Sequence, residues 1–477
     1  MQKMSTIDPF SSEEDVLYCD CHLDPDTEYF LYVGELKADC LNFFLKEALS
    51  RIFGKKFDFI SILPDVLACY PHPNMLVINP RSRELTGACG HTTCCRISGR
   101  DFNRFVSNSG AVHHLVGELL QRQKNLFVHV FESVPEMTLN RIPGVILLGP
   151  DGEIAHRWNN KLHQLQALRD TSVPVIDFRI CDGYRELLQT TESLWPVWEQ
   201  GIFISQPYSA AGMNSFIAYS PRDLEGRDFF VDSKYLLSRY IPHISDPTVL
   251  GVVANADDVF IAAVADQDIE GGNTFKGSVF PSALPRKIQN EVEAHTRTVG
   301  QILGQSGYRG IFGCDFIVDE AGCVHFVEVN ARKQGTTMEM CCTLENLLPA
   351  DAPSLLELEF YAVTENRFPE NKMELREALG DICWRTYNFK TDTGVCVRES
   401  IPQEHDEREL FRRVAENSLE HDVIVMEHLG EGVLAEPGTF VGRLLAVSRR
   451  RELLEDDIRK GKELLRHSII PREEESS

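Results

Sequence analysis

The spacing between apolar residues changes along this chain, and these changes predict where its helices and strands lie. Residues 39–52 carry apolar side chains three and four positions apart, which predicts a helix, and 115–123 predict another. Short apolar runs at 29–33, 76–79 and 126–130 predict strands. Strands that alternate with helices indicate a parallel sheet covered by helices, so the first third of the chain is predicted to be an α/β domain.

Two alternating runs, residues 314–318 and 324–330, predict a β-hairpin. The Asp-Glu-Ala-Gly segment between them supplies the residue types that a tight turn needs. Residues two apart on a strand share a face, so Glu328 and Asn330 are predicted to lie on one side, with Asp315 facing them from the first strand.

The remaining elements are predicted from the same patterns. A turn at 151–153 closes the first domain. A buried strand at 201–207 is followed by a loop of small residues, and 271–277 form a glycine-rich loop. The other predicted elements are a hairpin over 248–256 and 259–264, a helix over 288–306, strands at 395–397, 423–426 and 440–447, and a closing helix over 453–465.

Length and composition indicate a soluble globular protein of several domains. The chain has 477 residues, which suggests about three domains. It is 43% hydrophobic and 25% charged, and its apolar runs are too short to span a bilayer. The first residues contain no apolar segment typical of a secretory signal, so we expect a cytoplasmic protein without a membrane segment.

The net charge of −24 argues against a nucleic-acid partner, because nucleic-acid surfaces need basic patches. The 14 cysteines show no zinc-finger spacing, and we expect them to be reduced and mostly buried.

The predicted hairpin carries the clearest chemistry in the sequence. Carboxylates of Asp315 and Glu328, with the amide oxygen of Asn330, form the hard-oxygen ligand set that Mg²⁺ prefers, and Mg²⁺ sites are usually completed by substrate phosphates. Arg332 follows two residues later, where its guanidinium can contact a phosphate or a developing oxyanion. Two carboxylates alone would more often be solvated surface residues; the added Asn and Arg favour a metal–phosphate site.

These residues resemble a known family. Gly307-Tyr308-Arg309-Gly310, then Asp315-Phe316, then Glu328-Val329-Asn330-Ala331-Arg332, are similar to the metal-binding end of the ATP-grasp superfamily. The resemblance implies ATP as the nucleotide and Mg²⁺, or alternatively Mn²⁺, on Asp315, Glu328 and Asn330. It implies catalytic roles for Arg332 and Asn330.

The resemblance also implies a set of nucleotide-binding residues. Lys161 at a helix start corresponds to a phosphate-binding lysine, and the segment 237–242 to the linker where adenine sits. The implied nucleotide contacts are Lys161, Gln206, Ser209, Gly212, Arg239, Ile241 and Gln267, with a lid over about 200–238. Gln206 departs from the family, which usually has lysine there, so the missing charge would come from elsewhere, such as Lys234.

The implied architecture is an ATP-grasp fold with an N-terminal α/β domain over 1–156, the ATP-grasp domain over 157–348 and a C-terminal domain over 349–477. The implied activity is a carboxylate–amine ligase that forms an amide through an acyl phosphate, acting on small-molecule carboxylate and amine substrates, with amino acids as the expected class. Homodimers are common among such enzymes, so a homodimer is one expected assembly.

The sequence leaves two alternatives open. A biotin-carboxylase-like enzyme shares the three-part layout, but that branch has an acidic base shortly after the arginine, where this chain has Gln334, Gly335 and Thr336. A nucleotide-binding protein without catalysis is favoured mainly by Gln206.

Overall fold

The computed structural model describes residues 5–6, 16–35, 38–64, 74–79, 97–208, 215–227, 229, 233–271, 274–375, 382–399, 401, 406–426, 428–429, 431–435 and 437–471. Within these ranges, no helix is both long enough and apolar enough to cross a membrane.

The N-terminal region is a sheet flanked by helices, as predicted. Its strands are β1 (Ser5–Thr6), β2 (Val16–Asp20), β3 (His22–Leu23), β4 (Glu28–Val33), β5 (Phe57–Leu63), β6 (Met75–Ile78), β7 (Leu126–Val130) and β8 (Val145–Leu148). Its helices are α1 (Leu41–Phe53), α2 (Gly99–Asn108) and α3 (Gly110–Arg122). The sheet order is β2-β6-β5-β4-β7-β8, with β2 antiparallel at the edge and the other strands parallel.

The middle region begins with a pair of helices and a small sheet. These elements are α4 (Gly152–Trp158), α5 (Lys161–Leu168), β9 (Phe178–Asp182), α6 (Tyr184–Leu194), β10 (Ile202–Ser205), β11 (Phe216–Ala218) and β12 (Lys234–Arg239). The strands form an antiparallel sheet in the order β11-β10-β12-β9. The turn predicted at 151–153 is instead the start of α4, because the Asp151 side chain accepts hydrogen bonds from the backbone of Glu153 and Ile154.

A larger antiparallel sheet and three helices follow. In chain order these elements are β13 (His243–Ser245), β14 (Pro247–Val253), β15 (Val259–Glu270), β16 (Thr274–Phe280), α7 (Arg286–Gln305), β17 (Gly310–Asp319), β18 (Val324–Asn330), α8 (Thr337–Leu347) and α9 (Leu355–Glu365). The predicted hairpins and the predicted helix over 288–306 are confirmed.

The C-terminal region extends the same sheet. Its elements are β19 (Cys383–Lys390), β20 (Val395–Val397), α10 (Glu407–Ala415), β21 (His421–Met426), β22 (Leu434–Ala435), β23 (Phe440–Ser448), α11 (Leu454–His467) and β24 (Ile469–Pro471). The nine-stranded sheet has the order β13-β17-β14-β15-β16-β19-β23-β21, with β18 on β17. The sheet therefore continues across the boundary predicted near residue 348.

The predicted loop at 271–277 is wrong for its second half, which is strand β16. The β16 strand pairs with β15 on one side and β19 on the other. Gly277 is needed for this close packing, because a Cβ there would lie 2.0 Å from the backbone oxygen of Thr386. The glycine that indicated a loop thus serves a close strand contact.

The helices α8 and α9 lie between the two large sheets and join their cores. One hydrophobic cluster includes Phe59 of the N-terminal sheet, Met340 of α8, Leu358 of α9 and Trp384 of β19. Buried apolar surface of this kind holds the two layers together. The carboxyl end of β7 is thereby fixed against the β17–β18 hairpin.

Candidate active site

The floor of the candidate site is the β17–β18 hairpin. Asp315 pairs directly with Glu328 across the two strands, and Gly313 pairs with Asn330. The Asn330 amide donates a hydrogen bond of 2.8 Å to Asp315 Oδ2. The predicted convergence of these three side chains is therefore what the structure shows.

Asp315 is surrounded by neutral hydrogen-bond donors. Its Oδ1 accepts from Thr248 Oγ1 at 2.6 Å, from Gln267 Nε2 at 2.7 Å and from Gln334 Nε2 at 3.2 Å. Burial, followed by the negative charge of Glu328, raises the pKa of Asp315 to about 6 despite these hydrogen bonds. An anionic centre with little compensating charge is a favourable place for a cation.

Glu328 has a different partner. Lys161 Nζ forms an ion pair and hydrogen bond with Glu328 Oε2. Lys161 is the first residue of α5, and the side chain of Asn160 caps that helix. The lysine that the resemblance assigned to nucleotide phosphates thus lies directly beside the predicted metal carboxylates.

The residues after β18 connect the site to the N-terminal sheet. Arg332 lies 3.7 Å from a carboxylate oxygen of Glu132, which follows β7. Lys333 is almost fully buried, and its Nζ donates to the carbonyl of Val130 and pairs with Glu359 of α9 at 2.7 Å. These contacts fix the backbone that carries Arg332.

A cleft with a volume of about 290 Å³ opens above this floor. Its predicted members include Lys161, Arg239, Ile241, Gln267, Asp315, Glu328, Asn330 and Arg332. Residues that were predicted separately to bind the metal, the phosphates and the adenine therefore line one cavity.

The far end of the cleft is formed by the segment after β12. The backbone N–H of Arg239 donates to the carbonyl of Asp177, and the carbonyl of Ile241 accepts from His243 Nδ1. Hydrogen bonding to Asp246 raises the pKa of His243. The Arg239 side chain pairs with the exposed carboxylate of Asp177 at 3.4 Å, so both the N–H and the guanidinium of Arg239 have partners within the protein.

The strand β10 forms the opposite wall, and its cleft-lining residues are Phe203 and Ser205. Gln206 follows that strand, is half-buried, and does not line the cleft in the structure. Ser209 and Gly212 lie outside the described residues. Lys234, considered as a substitute cation, pairs with the exposed Asp182 and also does not line the cleft.

The ligand set suits Mg²⁺. The side-chain N–H of Asn330 donates a hydrogen bond to Asp315. The amide oxygen of Asn330 is not used in this bond and can therefore act as a cation ligand beside the two carboxylates. Nowhere in the described ranges, this site included, do three or more His, Cys, Asp or Glu side chains come together as a metal-binding group. Two carboxylates and one amide would be completed by phosphates and water.

Several important residues were not found from the sequence. Thr248, Gln334, Lys333 and Glu359 are distant or unremarkable in sequence and meet only in the folded chain. Gly313 is the sequence feature that could have indicated the position of Gln334, because a Cβ at residue 313 would lie 2.0 Å from the Gln334 side chain. A glycine opposite a metal ligand in a strand can mark a side chain that crosses above it.

Comparison with protein families places a known domain on this site. Residues 158–336 match the family model described as the ATP-grasp domain. The match covers Lys161, the residues 239–241 that follow β12 and are called the hinge below, and the β17–β18 floor.

Two curated relatives share part of the sequence. The chain is 23% identical over 264 residues to the [butirosin acyl-carrier protein]–L-glutamate ligase of Niallia circulans, which covers 53% of this chain and 62% of that protein. It is 32% identical over 101 residues to the L-propargylglycine–L-glutamate ligase of Streptantibioticus cattleyicolor, covering 21% and 20%. The chain thus matches less than two thirds of either relative's length.

Solved structures agree in fold. An N5-carboxyaminoimidazole ribonucleotide synthetase in complex with ADP superposes with a TM-score of 0.58 at 12% identity, covering 96% of this chain and all of that one. The biotin carboxylase domain of Hydrogenobacter thermophilus 2-oxoglutarate carboxylase superposes with a TM-score of 0.59 at 13% identity, covering 91% and 89%. At these identities the likeness establishes the fold.

Proposed function

We propose that this chain, a member of the ATP-grasp superfamily, is an ADP-forming ligase that joins a carboxylate to an amine. The observation that supports this most directly is the meeting of Asp315, Glu328 and Asn330 with Lys161 and Arg332 in one cleft. Such a set can bind a metal–nucleotide and stabilise a transferred phosphoryl group.

The nucleotide would lie along the cleft. Its base would contact the backbone at Arg239 and Ile241, and its phosphates would reach Lys161 and the hairpin floor. Mg²⁺ held by Asp315, Glu328 and Asn330 would neutralise charge on the phosphates. Lys161 already contacts Glu328, so it can bind a phosphate oxygen near the same carboxylate. Lys161 would thereby supply a positive charge near the phosphates, although position 206 carries glutamine and not lysine.

The reaction would proceed in two steps. A substrate carboxylate oxygen attacks the γ-phosphorus, the bond to the bridging oxygen breaks, and ADP leaves with that electron pair. The amine then attacks the acyl carbon, the carbon–oxygen bond to phosphate breaks, and the amine loses a proton. Arg332 is placed to stabilise the phosphoryl group or the tetrahedral oxyanion. Closure of the cleft would protect the acyl phosphate from water.

Glutamate is the first substrate to test. Both curated relatives are named as L-glutamate ligases, and this supports an amino acid as one substrate class for this chain. A cytoplasmic location remains an expectation from the sequence. A homodimer remains one expected assembly.

The deciding experiment measures ADP release with Mg·ATP. The purified chain is incubated with L-glutamate and pools of amines, and then with pools of other carboxylic acids, followed by mass spectrometry. We expect ADP only with particular pools, and a product lighter than the summed substrates by one water. ADP release that needs bicarbonate but no amine would instead support a carboxylase-like reaction. ATP binding without turnover in any pool would overturn the ligase proposal.

A further inference from the structure

The corner between helices α4 and α5 (residues 159–164) lies against the outer edge of β18, the edge that faces away from β17. Gln164 of this corner donates from Nε2 to the carbonyl of Val329 at 2.7 Å. Its Oε1 accepts from the N–H of the same residue at 2.8 Å. Gln164 thus bonds both backbone groups of Val329, as a paired antiparallel strand would. The end of β18 is therefore held on both of its edges.

Asn159 makes the next contact of the corner along the chain. Its Oδ1 accepts from the N–H of Ala331 at 2.9 Å, and its Nδ2 donates to Glu132 Oε1 at 2.8 Å. The orientation of this amide is determined by its partners, because Ala331 supplies a donor and the carboxylate an acceptor. Asn159 therefore connects the residue that precedes Arg332 to a carboxylate of the N-terminal region.

Glu132 is shared between Asn159 and Arg332. Its Oε1 accepts from Asn159, and its Oε2 lies 3.7 Å from Arg332 Nε. At this distance the two charges attract each other without a direct hydrogen bond. Arg332 Nη1 also donates to the carbonyl of Lys333 at 3.2 Å. The guanidinium is thus oriented at two of its three nitrogen atoms, and of its five N–H groups some remain for a ligand.

Glu132 and Asn159 do not line the cleft, whereas Arg332 does. Their influence on a bound nucleotide would therefore pass through the arginine. The backbone is fixed at the same place, because the N–H of Lys333 donates to the carbonyl of Phe131 at 3.3 Å. The carboxyl end of β7 thus holds both the main chain and the guanidinium of the segment that follows β18.

We propose that Glu132 and Asn159 are positioning residues that hold the Arg332 guanidinium toward the γ-phosphoryl group of the bound nucleotide. This rests on the ligase activity proposed above and specifies how its arginine is placed. A long side chain loses conformational freedom when it binds a phosphoryl group, and a carboxylate that already orients the side chain reduces that loss. The N-terminal region thereby contributes to phosphoryl binding without reaching the nucleotide.

The first test is Glu132→Gln, which keeps an oxygen for Asn159 and removes the charge that faces Arg332. The value of kcat/KM for ATP should fall about tenfold, because an oriented contact to a charged group is weakened. Asn159→Asp should act similarly, since it keeps an oxygen for the N–H of Ala331 but turns a carboxylate oxygen toward Glu132. Glu153→Gln, an exposed carboxylate on α4, is the matched control and should leave kcat/KM unchanged. Unchanged kcat/KM in Glu132→Gln would overturn the proposal.

A double-mutant cycle separates action through Arg332 from a general structural effect. Arg332→Lys keeps the charge but lacks the fork of N–H groups, so adding Glu132→Gln to it should lower kcat/KM by less than about twofold. The urea midpoint of Glu132→Gln should stay close to that of the wild type, because the ion pair is partly exposed. Full additivity of the two losses would show that Glu132 acts independently of Arg332, and the proposal would fall.

Nucleotide binding gives a readout that does not depend on turnover. Calorimetry compares Mg·ADP with the Mg²⁺ complex of β,γ-imido-ATP, which carries a γ-phosphoryl group that is not transferred. The wild type should bind the imido analogue about tenfold more tightly, and Glu132→Gln and Arg332→Lys should each remove most of this difference. Their affinity for Mg·ADP should stay within about twofold of the wild type, because ADP lacks the γ-phosphoryl group.

The outcomes distinguish this proposal from the ligase activity. If no substrate pool gives ADP but Glu132→Gln removes the difference in affinity, the ligase is refuted and the positioning role is supported. If ADP is released and the difference in Glu132→Gln equals that of the wild type, the positioning role is refuted and the ligase stands. Equal affinities of the wild type for the two nucleotides would also refute the positioning role.

Discussion

The two ends of the cleft are built from different parts of the chain. At the metal end, Asp315 and Glu328 are fixed by side chains from β14, β15, α5 and the segment after β18. At the hinge end, Arg239 and Ile241 line the cleft, and the Arg239 guanidinium is paired with the exposed Asp177. Side-chain identity should therefore decide activity at one end, and main-chain conformation at the other.

The largest effect should come from Glu328→Gln. Loss of this charge removes a metal ligand and the partner of Lys161, so turnover should fall about a thousandfold or more while the fold persists. ADP release and circular dichroism measure the two quantities. Glu320→Gln, in the turn of the same hairpin, is the control and should be nearly silent. Full activity in Glu328→Gln would refute the metal assignment.

The support beneath the metal end should be sensitive as well. Lys333→Met leaves the buried Glu359 carboxylate without its cation and should lower the free energy of unfolding by about 3–5 kcal/mol. Urea unfolding measures the change, with the exposed Lys287→Met as control. Adding Glu359→Leu should restore much of the loss. A cost below about 1 kcal/mol would refute the stabilising role of the Lys333–Glu359 pair.

The third prediction concerns pH at the metal end. The pKa of Asp315 is raised from 3.8 to about 6, so the metal-free fold is favoured by this group at low pH, and that contribution is lost as the pH rises through 6. Metal binding needs the charged form.

The affinity for Mg·ADP should therefore fall about tenfold per unit below pH 6 and stay level above pH 7. Calorimetry from pH 5 to pH 8 measures it, and ADP without Mg²⁺ should change less. A flat profile would argue against Asp315 as a ligand.

The smallest effect should be at the hinge. Arg239→Ala removes a half-exposed side chain whose ion pair with Asp177 is solvent-screened, so KM for ATP should change less than about twofold. Initial-rate kinetics at varied ATP will show this. A tenfold rise in KM would mean that the hinge also recognises ATP by side-chain charge, and the contrast between the two ends would be lost.

The sequence by itself determined the local features of this protein. Alternation fixed the β17–β18 hairpin, so the relation of Asp315 to Glu328 and Asn330 followed from the two-residue period of a strand. Helical spacing identified α1 and α7, and apolar runs identified β4, β6 and β7. These properties depend on neighbours a few residues away, which a sequence displays directly.

Only the tertiary structure decided what supports those residues. Lys333 and Glu359 meet because α8 and α9 lie between two sheets, and Gln334 reaches Asp315 because Gly313 leaves room for it. The glycine at 277 was misleading because it serves a contact with β19, more than 100 residues away. Such pairings arise from long-range packing, and no period in the sequence carries them.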